Sequence, residues 1–275
     1  MPGSCVPENP FPTSSKKKSS VLPTIHDDIA VSVRGLSKMY RLYQHPRDRL
    51  KQQLRPRKTY FREFWALRNV SFDLKRGETL GILGHNGAGK STLLQILAGT
   101  VRPTSGQAIV RGRVAALMSI GSGFRFDFTG RENIYVLGSL LGVSKKEVNS
   151  YVPHIEAFAE IGMFLDQPVR TYSNGMLMRL AFGVYTCLAP ELLIVDEVLN
   201  VGDIAFKEKC LKHIKQLLEN GTSMILVSHN PVVVKNFCKS ALVIEKGNLI
   251  MSGEVNTKKK KYNELVQRKV TGVTE

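Results

Sequence analysis

The stretch that decides the fold reads G-H-N-G-A-G-K-S over residues 84–91, directly after the short apolar run Thr79–Leu83. It matches the G-x-x-x-x-G-K-[ST] pattern of a phosphate-binding loop. Small residues let several backbone N–H groups converge on one anion, and the positive end of the following helix adds to the attraction. We therefore predict a strand at 79–83 and a helix from about Lys90 to Ala98, which Gly99 ends.

The side chains of this loop have separate predicted tasks. Lys90 is placed to reach the β- and γ-phosphates of a nucleoside triphosphate, and the Ser91 hydroxyl to bind a Mg²⁺ ion that bridges phosphate oxygens. The alternative is a chance glycine-rich turn, although every fixed position of the pattern agrees with the loop. The other candidate phosphate-binding residues are Gly84, His85, Asn86, Gly87, Ala88, Gly89 and Thr92.

A second motif, L-L-I-V-D-E at residues 192–197, places two carboxylates after four apolar residues. The apolar run predicts a buried strand, and ligands of α/β proteins bind at the carboxyl ends of such strands. We expect Asp196 to hold Mg²⁺ and Glu197 to be the general base that activates the attacking water. Taken alone, the motif also fits an ordinary strand that ends in acidic turn residues.

Three further residues are candidates for the same site. Ser173, in Y-S-N-G-M at 172–176, is predicted to cap a helix and to donate to a phosphate. His229, after a predicted strand, is placed to contact a γ-phosphate and hold the catalytic water. Tyr40 is placed to stack on an adenine ring. The alternatives are a plain helix cap, a structural histidine and a half-buried tyrosine at a strand end.

Composition narrows the class of protein. The 275 residues include 43% hydrophobic and 23% charged residues, and the formal net charge of +16 favours an anionic partner. The four cysteines form no C-x-x-C pair, which indicates neither a disulfide framework nor a zinc site. The sequence has no membrane-spanning apolar run and no apolar signal-peptide core, so we expect the chain on the cytosolic side.

Strands that alternate with helices predict an α/β fold with a mainly parallel core sheet. A helical subdomain is expected at about 120–185, within a folded domain at 30–265. We expect flexible tails at 1–29 and 266–275, with a basic helix at 258–267. Strands are predicted at 30–33, 65–74, 79–83, 107–114, 192–195 and 224–227, followed by a hairpin at 242–251.

A basic insert is predicted at 41–62, where eight Lys and Arg residues accompany a single acid, for a net charge of +7. Leu50 and Leu54 are four residues apart, so part of the insert is predicted to form an amphipathic helix. Its charge either faces anionic lipid headgroups or substrate phosphates, or it forms a solvated surface.

Taken in order, these motifs resemble the nucleotide-binding subunit of ABC transporters. The family carries a P-loop, a signature sequence before a helix, a Walker B strand with its glutamate, a D-loop and an H-loop histidine. Here they correspond to 84–91, 173–176, 192–197, Asp203 and His229. The resemblance implies a P-loop ATPase with ATP and Mg²⁺ as cofactors, and it adds an antiparallel β subdomain to the fold.

The resemblance also implies a head-to-tail pair of chains around two ATP molecules. One copy supplies the P-loop, the Walker B carboxylates and His229 to each site. The other copy supplies its signature segment at the γ-phosphate. ATP closes the pair, hydrolysis reopens it, and the cycle drives a separate polytopic membrane subunit. The residues expected from the second copy are Ser173, Asn174 and Gly175, and Met176 and Asp203 are also assigned to ATP binding.

The resemblance is closest to subunits that export O-antigen, capsule or teichoic acid polysaccharides. It rests on Y-R-L-Y-Q-H-P-R-D-R-L (40–50), R-E-F-W-A-L (62–67), F-T-G-R-E-N-I (128–134), Y-S-N-G-M (172–176) and V-D-E-V-L-N-V-G-D (195–203). It implies an ATPase at the cytoplasmic face of the inner membrane that handles a lipid-linked glycan through the membrane subunit. The alternatives are a soluble ABC ATPase acting on nucleic acid or the ribosome, and a nucleotide binder that does not hydrolyse ATP.

The chain departs from the common family pattern at three points. Residues 118–130 contain no glutamine, although most members carry one before the helical subdomain. Asn174 replaces the usual Gly or Ser of the signature, but its amide can still donate to a phosphate. Asn200 stands where Ala is commoner.

Overall fold

The computed structural model describes residues 27–55, 57–119, 121, 123–196, 203–228 and 230–255, and the structural statements below concern these residues. The predicted tail at 1–29 lies largely outside them, and the predicted basic helix and second tail lie outside them entirely. The strands are β1 (Ile29–Leu42), β2 (Arg62–Lys75), β3 (Thr79–Leu83), β4 (Ser105–Val110), β5 (Val114–Ala116), β6 (Leu192–Val195), β7 (Ser223–Val227), β8 (Ser240–Glu245) and β9 (Asn248–Glu254). The helices are α1 (Pro46–Leu54), α2 (Lys90–Leu97), α3 (Gly130–Leu140), α4 (Lys145–Ala159), α5 (Asn174–Cys187), α6 (Ile204–Glu219) and α7 (Pro231–Phe237).

A six-stranded sheet with the order β5-β6-β7-β3-β8-β9 forms the core. Its first five strands pair in parallel, and β9 pairs antiparallel with β8. Strands β3, β6 and β7 are buried at every position, so their sequences are nearly continuous apolar runs without alternation. The prediction of an α/β fold with a mainly parallel core sheet is confirmed.

The strand order determines where ligand-binding groups gather. Strand β7 lies between β6 and β3, and all three run in the same direction. Residues 84–91 follow β3, and Asp196 follows β6. The loop and the carboxylate therefore lie at the same edge of the sheet, where α/β proteins bind their ligands.

A second, antiparallel sheet has the order β2-β1-β4. Strand β1 extends well beyond the predicted 30–33, because it pairs with β2 as far as the couple Leu42 and Arg62. In this register Tyr40 lies directly opposite Phe64. Side chains directly opposite each other point to the same face of a sheet, so these two rings share one face near the ends of the long strands.

The prediction of one strand at 107–114 is wrong. Strand β4 ends at Val110 in the antiparallel sheet, and β5 begins at Val114 in the parallel sheet. Gly112 lies between them with a left-handed φ of +82°, and a Cβ at this position would clash with the Glu191 carboxylate. The chain therefore turns from one sheet to the other at a residue that has no side chain.

The turn between β8 and β9 connects the two sheets next to the phosphate loop. Gly247 N donates to Ala88 O at 2.9 Å, and Gly247 O accepts from Arg68 N at 2.7 Å. Ala88 belongs to the phosphate loop and Arg68 to β2. One residue of the hairpin thus joins the loop to the antiparallel sheet.

Helices α3, α4 and α5 pack around their own hydrophobic cluster, which includes Ile134, Ile155 and Leu180. Local capping begins two of them, because Thr129 accepts from Glu132 N and Ser144 accepts from Glu147 N. Most of residues 130–187, within and just beyond the expected helical subdomain, are helical. Within the described ranges, no helix is both long enough and apolar enough to span a membrane.

Three buried rings, Phe158, Phe182 and Phe206, form what we call the aromatic cluster, which joins α4, α5 and α6. Their ring centroids are 5.6 Å apart for Phe158 and Phe182, 5.7 Å for Phe158 and Phe206, and 6.2 Å for Phe182 and Phe206. Such pairs stabilise a core beyond the apolar area they bury. The cluster therefore holds the helical region against α6.

We expect Phe182→Ala to lower the free energy of unfolding by about 3–5 kcal/mol, because it opens a cavity in the aromatic cluster. Met163→Ala is the control, since this residue is 79% exposed, and we expect a change within about 0.5 kcal/mol. Urea denaturation followed by circular dichroism measures both. Equal losses for the two variants would contradict the role of the cluster.

Candidate nucleotide-binding site

The phosphate loop ends in a backbone conformation that requires glycine. Gly89 is the N-cap of α2 with a left-handed φ of +108°, and a Cβ there would clash with Ala66 O of β2. No side chain caps this helix, and the first N–H groups of a helix have no partner within it. The loop therefore offers backbone donors and the positive end of α2 to an anion.

Lys90 lies inside the loop with only 7% of its surface exposed. Its Nζ donates to Gly84 O at 2.6 Å and to His85 O at 2.9 Å. These carbonyls fix the direction of a long side chain that would otherwise be mobile. The ammonium group is thereby placed at the centre of the loop, where the pattern predicts contact with the β- and γ-phosphates.

A cleft of about 390 Å³ brings the loop and the acidic strand together. Ser91 and Asp196 both line it, so a hydroxyl and a carboxylate face the same space. These are oxygen ligands of the kind that Mg²⁺ accepts, and Mg²⁺ typically takes one or two carboxylates and completes its shell with phosphates and water. The lining residues are Phe64, Ala66, Asn86, Gly87, Gly89, Lys90, Ser91, Thr92 and Asp196.

We looked for a second metal site among the residues that the structure describes. Those ranges contain no group of three or more His, Cys, Asp and Glu residues that could hold a metal ion. The Ser91 and Asp196 pair fits an ion that is bound mainly through phosphate oxygens.

The aromatic lining of this cleft is Phe64 of β2. Tyr40, the predicted adenine-stacking residue, lies opposite Phe64 on β1 and does not line the cleft. Lys38 Nζ lies 5.1 Å from the centroid of the Tyr40 ring. Phe64 is 48% exposed, so its face is accessible to a planar base. Sequence reasoning did not single out Phe64, because the pairing of β1 with β2 is what places this ring beside the loop. The assignment of Tyr40 to the adenine ring stays a prediction.

The signature segment lies apart from this cleft. As predicted, Ser173 caps α5, and its hydroxyl accepts from Met176 N at 3.2 Å. Ser173, Asn174 and Gly175 are exposed, and none of them lines the space around Lys90. Within one chain, the structure therefore does not bring the signature segment to the phosphate loop.

Tyr172 anchors the approach to the signature segment, a role that sequence reasoning missed. Its hydroxyl donates to Phe164 O at 2.6 Å. Burial raises the pKa of Tyr172 to about 12, so the hydroxyl keeps its proton at neutral pH. The residue before Ser173 is thus fixed to the preceding turn by a hydrogen bond.

Asp203 caps α6, and its carboxylate accepts from Phe206 N at 2.8 Å. It does not line the cleft around Lys90 either. Glu197 and His229, the predicted catalytic residues, and Asn200 lie outside the described residues. The roles assigned to Glu197 and His229 stay predictions from the sequence.

Comparison with known proteins identifies the family. A family model described as ABC transporter matches residues 67–200. The ABC transporter protein AbcA of Aeromonas salmonicida is 44% identical over 236 residues, which cover 86% of this chain and 76% of AbcA. The chain belongs to the ABC transporter family. It is therefore an ATPase of the ABC type, with the nucleotide cleft described above.

Other relatives of this ABC ATPase carry more specific names. The O-antigen export system ATP-binding protein RfbB of Klebsiella pneumoniae is 40% identical, over 80% of this chain and 91% of RfbB. The teichoic acids export ATP-binding protein TagH of Listeria innocua is 37% identical, over 87% of this chain and 71% of TagH.

Solved structures of ABC proteins share the fold. An ATP-binding subunit of an ABC transporter has a TM-score of 0.70 at 18% identity, over 88% of this chain and 99% of that one. The dimeric ATP-binding cassette MJ0796, in a post-hydrolysis state bound to ADP and Pi, has a TM-score of 0.65 at 20% identity, over 82% and 99%. At these identities the similarity concerns the fold alone.

We expect Lys90→Ala to weaken ATP binding by at least about tenfold, because it removes the charged donor at the centre of the loop. Lys145→Ala, at the exposed start of α4, should leave the affinity unchanged. Titration with a fluorescent ATP analogue compares the two. Unchanged affinity in Lys90→Ala would contradict the position of the site.

Proposed function

We propose that the chain is the ATP-hydrolysing subunit of an exporter that moves a lipid-linked polysaccharide, of the O-antigen, capsule or teichoic acid type, across the cell membrane. The main support is the cleft that joins Lys90 and Ser91 to Asp196. The names of RfbB and TagH, which are 40% and 37% identical to this chain, support a polysaccharide as the substrate.

The proposed mechanism of ATP hydrolysis follows from the negative charges of the triphosphate. Lys90 and the N-terminus of α2 would stabilise the negative charge that builds on the phosphates during transfer. Ser91 and Asp196 would hold Mg²⁺, which supplies further neutralisation of phosphate charge when bound. Glu197 would accept a proton from the attacking water, and His229 would orient that water at the γ-phosphate.

The exposed signature segment supports a site shared between two copies of the chain. Ser173 begins α5 at the surface, and the positive end of a helix favours an anion. Because this segment lies away from the chain's own cleft, we propose that it meets the γ-phosphate held by a second copy in a head-to-tail dimer. ATP would then bind both copies at once, which favours the closed pair over the open one.

We expect Glu197→Gln to bind ATP but to lower its hydrolysis by at least about 100-fold, because the general base is lost. The variant should accumulate as an ATP-bound dimer in size-exclusion chromatography. Glu219→Gln, at the exposed end of α6, is the matched control and should hydrolyse ATP at the normal rate. Normal turnover in Glu197→Gln would overturn the assignment of the base.

The basic insert supports a peripheral position at the membrane. The predicted helix is present as α1, and none of its residues is buried. Leu50 is 64% exposed and Leu54 is 82% exposed, so its apolar side chains point away from the protein core. A short exposed helix that combines leucines with several cations suits an anionic lipid surface.

A cavity of about 740 Å³ lies between α1 and the ends of β1 and β2. Arg41 and Arg49 line it, and the Arg41 guanidinium lies 4.8 Å from the centre of the Phe61 ring. Guanidinium groups bind phosphates in a fixed, bidentate geometry. The insert therefore has a concave cationic surface, in addition to the charges on the outer side of α1.

We expect charge reversal across the insert to weaken binding to vesicles of anionic phospholipid by at least about tenfold, since each juxtamembrane cation contributes about 1 kcal/mol. ATP hydrolysis by the purified chain should be retained. The reversed residues are Arg47, Arg49, Arg55 and Arg57. The control reverses four exposed lysines elsewhere, Lys145, Lys146, Lys212 and Lys215. Equal vesicle binding by the two variants would show that the insert is only a solvated face.

A pull-down of the tagged chain from detergent-solubilised native membranes tests the exporter itself. Recovery of a polytopic membrane protein together with a lipid-linked glycan would support the proposal. Recovery of ribosomes or DNA without a membrane partner would overturn it in favour of a soluble ABC ATPase.

A further inference from the structure

Three helices meet where α5 passes the start of α6. Arg179 lies on α5, six residues after Ser173, and its side chain is 21% exposed. Its Nη2 donates to Asp203 Oδ2 at 2.7 Å, and its Nη1 donates to Glu160 Oε2 at 3.3 Å. The guanidinium also lies 4.6 Å from the centre of the Phe206 ring. One side chain thus joins the end of α4, the middle of α5 and the first turn of α6.

Asp203 uses its two carboxylate oxygens for different partners. Oδ1 accepts from Phe206 N and caps α6, while Oδ2 accepts from Arg179. The Phe206 N–H and Arg179 hold the pKa of Asp203 below its ordinary value, so the carboxylate is ionised at neutral pH. Since the Asp203 side chain is 58% exposed, this ion pair contributes little to the free energy of unfolding. Its effect is geometric, because it fixes the start of α6 against α5.

Lys209 reinforces the same junction from α6. Its Nζ donates to Glu160 Oε1 at 2.6 Å and to Phe158 O at 2.8 Å, at the end of α4. Glu160 is the C-cap of α4 with a left-handed φ of +51°, and its two oxygens accept separately from Lys209 and Arg179. The aromatic cluster lies beneath these charges. The ion pairs therefore rest on a buried, packed support.

We propose that Arg179 is a positioning residue of the ATPase, which acts through Asp203 to hold the start of α6 against the helix that carries the signature segment. This inference rests on the proposed role of Ser173 at the nucleotide of the partner copy and on the assignment of Asp203 to ATP binding. Both residues are exposed N-caps, and Arg179 sets the relative position of the two helices they begin. Because a misplacement of about 1 Å can cost 100-fold in rate, a residue that never touches the nucleotide can control turnover.

A double-mutant cycle on the full chain tests this inference. Arg179→Met removes the charge but keeps an apolar side chain over Phe206. Asp203→Asn loses the ion pair but keeps a good helix cap, because Asn caps helices as well as Asp does. Arg131→Met is the matched control, since Arg131 donates to Asp166 at 2.6 Å in an ion pair that includes no residue of α5 or α6. The measurements are kcat and KM for ATP, the thermal midpoint, and rescue by Arg179→Lys.

We expect each of Arg179→Met and Asp203→Asn to lower kcat about tenfold with little change in KM, and the double variant to be no slower than either. Arg179→Lys should recover part of the rate, and Arg131→Met should leave kcat unchanged. Losses that multiply in the double variant, or a lower thermal midpoint with normal kcat, would overturn the inference. Normal hydrolysis in Lys90→Ala, measured alongside, would instead overturn the ATP site itself and this inference with it.

Discussion

A buried cation is the constraint on which the site depends. Removing an ammonium group from water costs several kcal/mol, and two loop carbonyls at 2.6 and 2.9 Å from Lys90 Nζ help to offset that cost. The helix that begins at Lys90 adds its own positive end to the same space. An anion with several oxygens satisfies both, because it accepts from the ammonium and from the helix N–H groups together. The loop is therefore preorganised for a phosphate before any nucleotide arrives.

The order of strands in the parallel sheet determines where Asp196 lies relative to Lys90. Because β3 and β6 are parallel and separated only by β7, Asp196 must lie at the edge that carries Lys90. The antiparallel sheet then closes one side of the cleft with Phe64 and Ala66. The phosphate loop, Asp196 and the β2 side chains that line this cleft thus come from three segments that are far apart in the chain.

Short sequence motifs predicted the structure correctly where the conformation depends on neighbouring residues alone. The spacing of Gly84, Gly89 and Lys90 predicted the loop and the helix after it, and Ser173 was predicted as the cap of a helix. Pairing between strands could not be predicted in the same way. Tyr40 was proposed for adenine as an aromatic that lies before the basic insert, and this stays a prediction; the register of β1 with β2 additionally places Phe64 at the lining of the cleft. The prediction of one strand at 107–114 was wrong because Gly112 was given no weight as a break, although its left-handed φ of +82° is one that glycine adopts readily.

The contact of Gly247 with both Ala88 and Arg68 has a mechanical consequence. The hairpin turn bonds the phosphate loop to Arg68 in the middle of β2, and the basic insert leads into the start of that same strand. Strand β1 pairs with β2 from the Ile29–Lys75 couple to the Leu42–Arg62 couple, with bulges between them. The phosphate loop and the basic insert are thus connected through one strand, so a displacement of the insert would be transmitted to the backbone that carries Lys90.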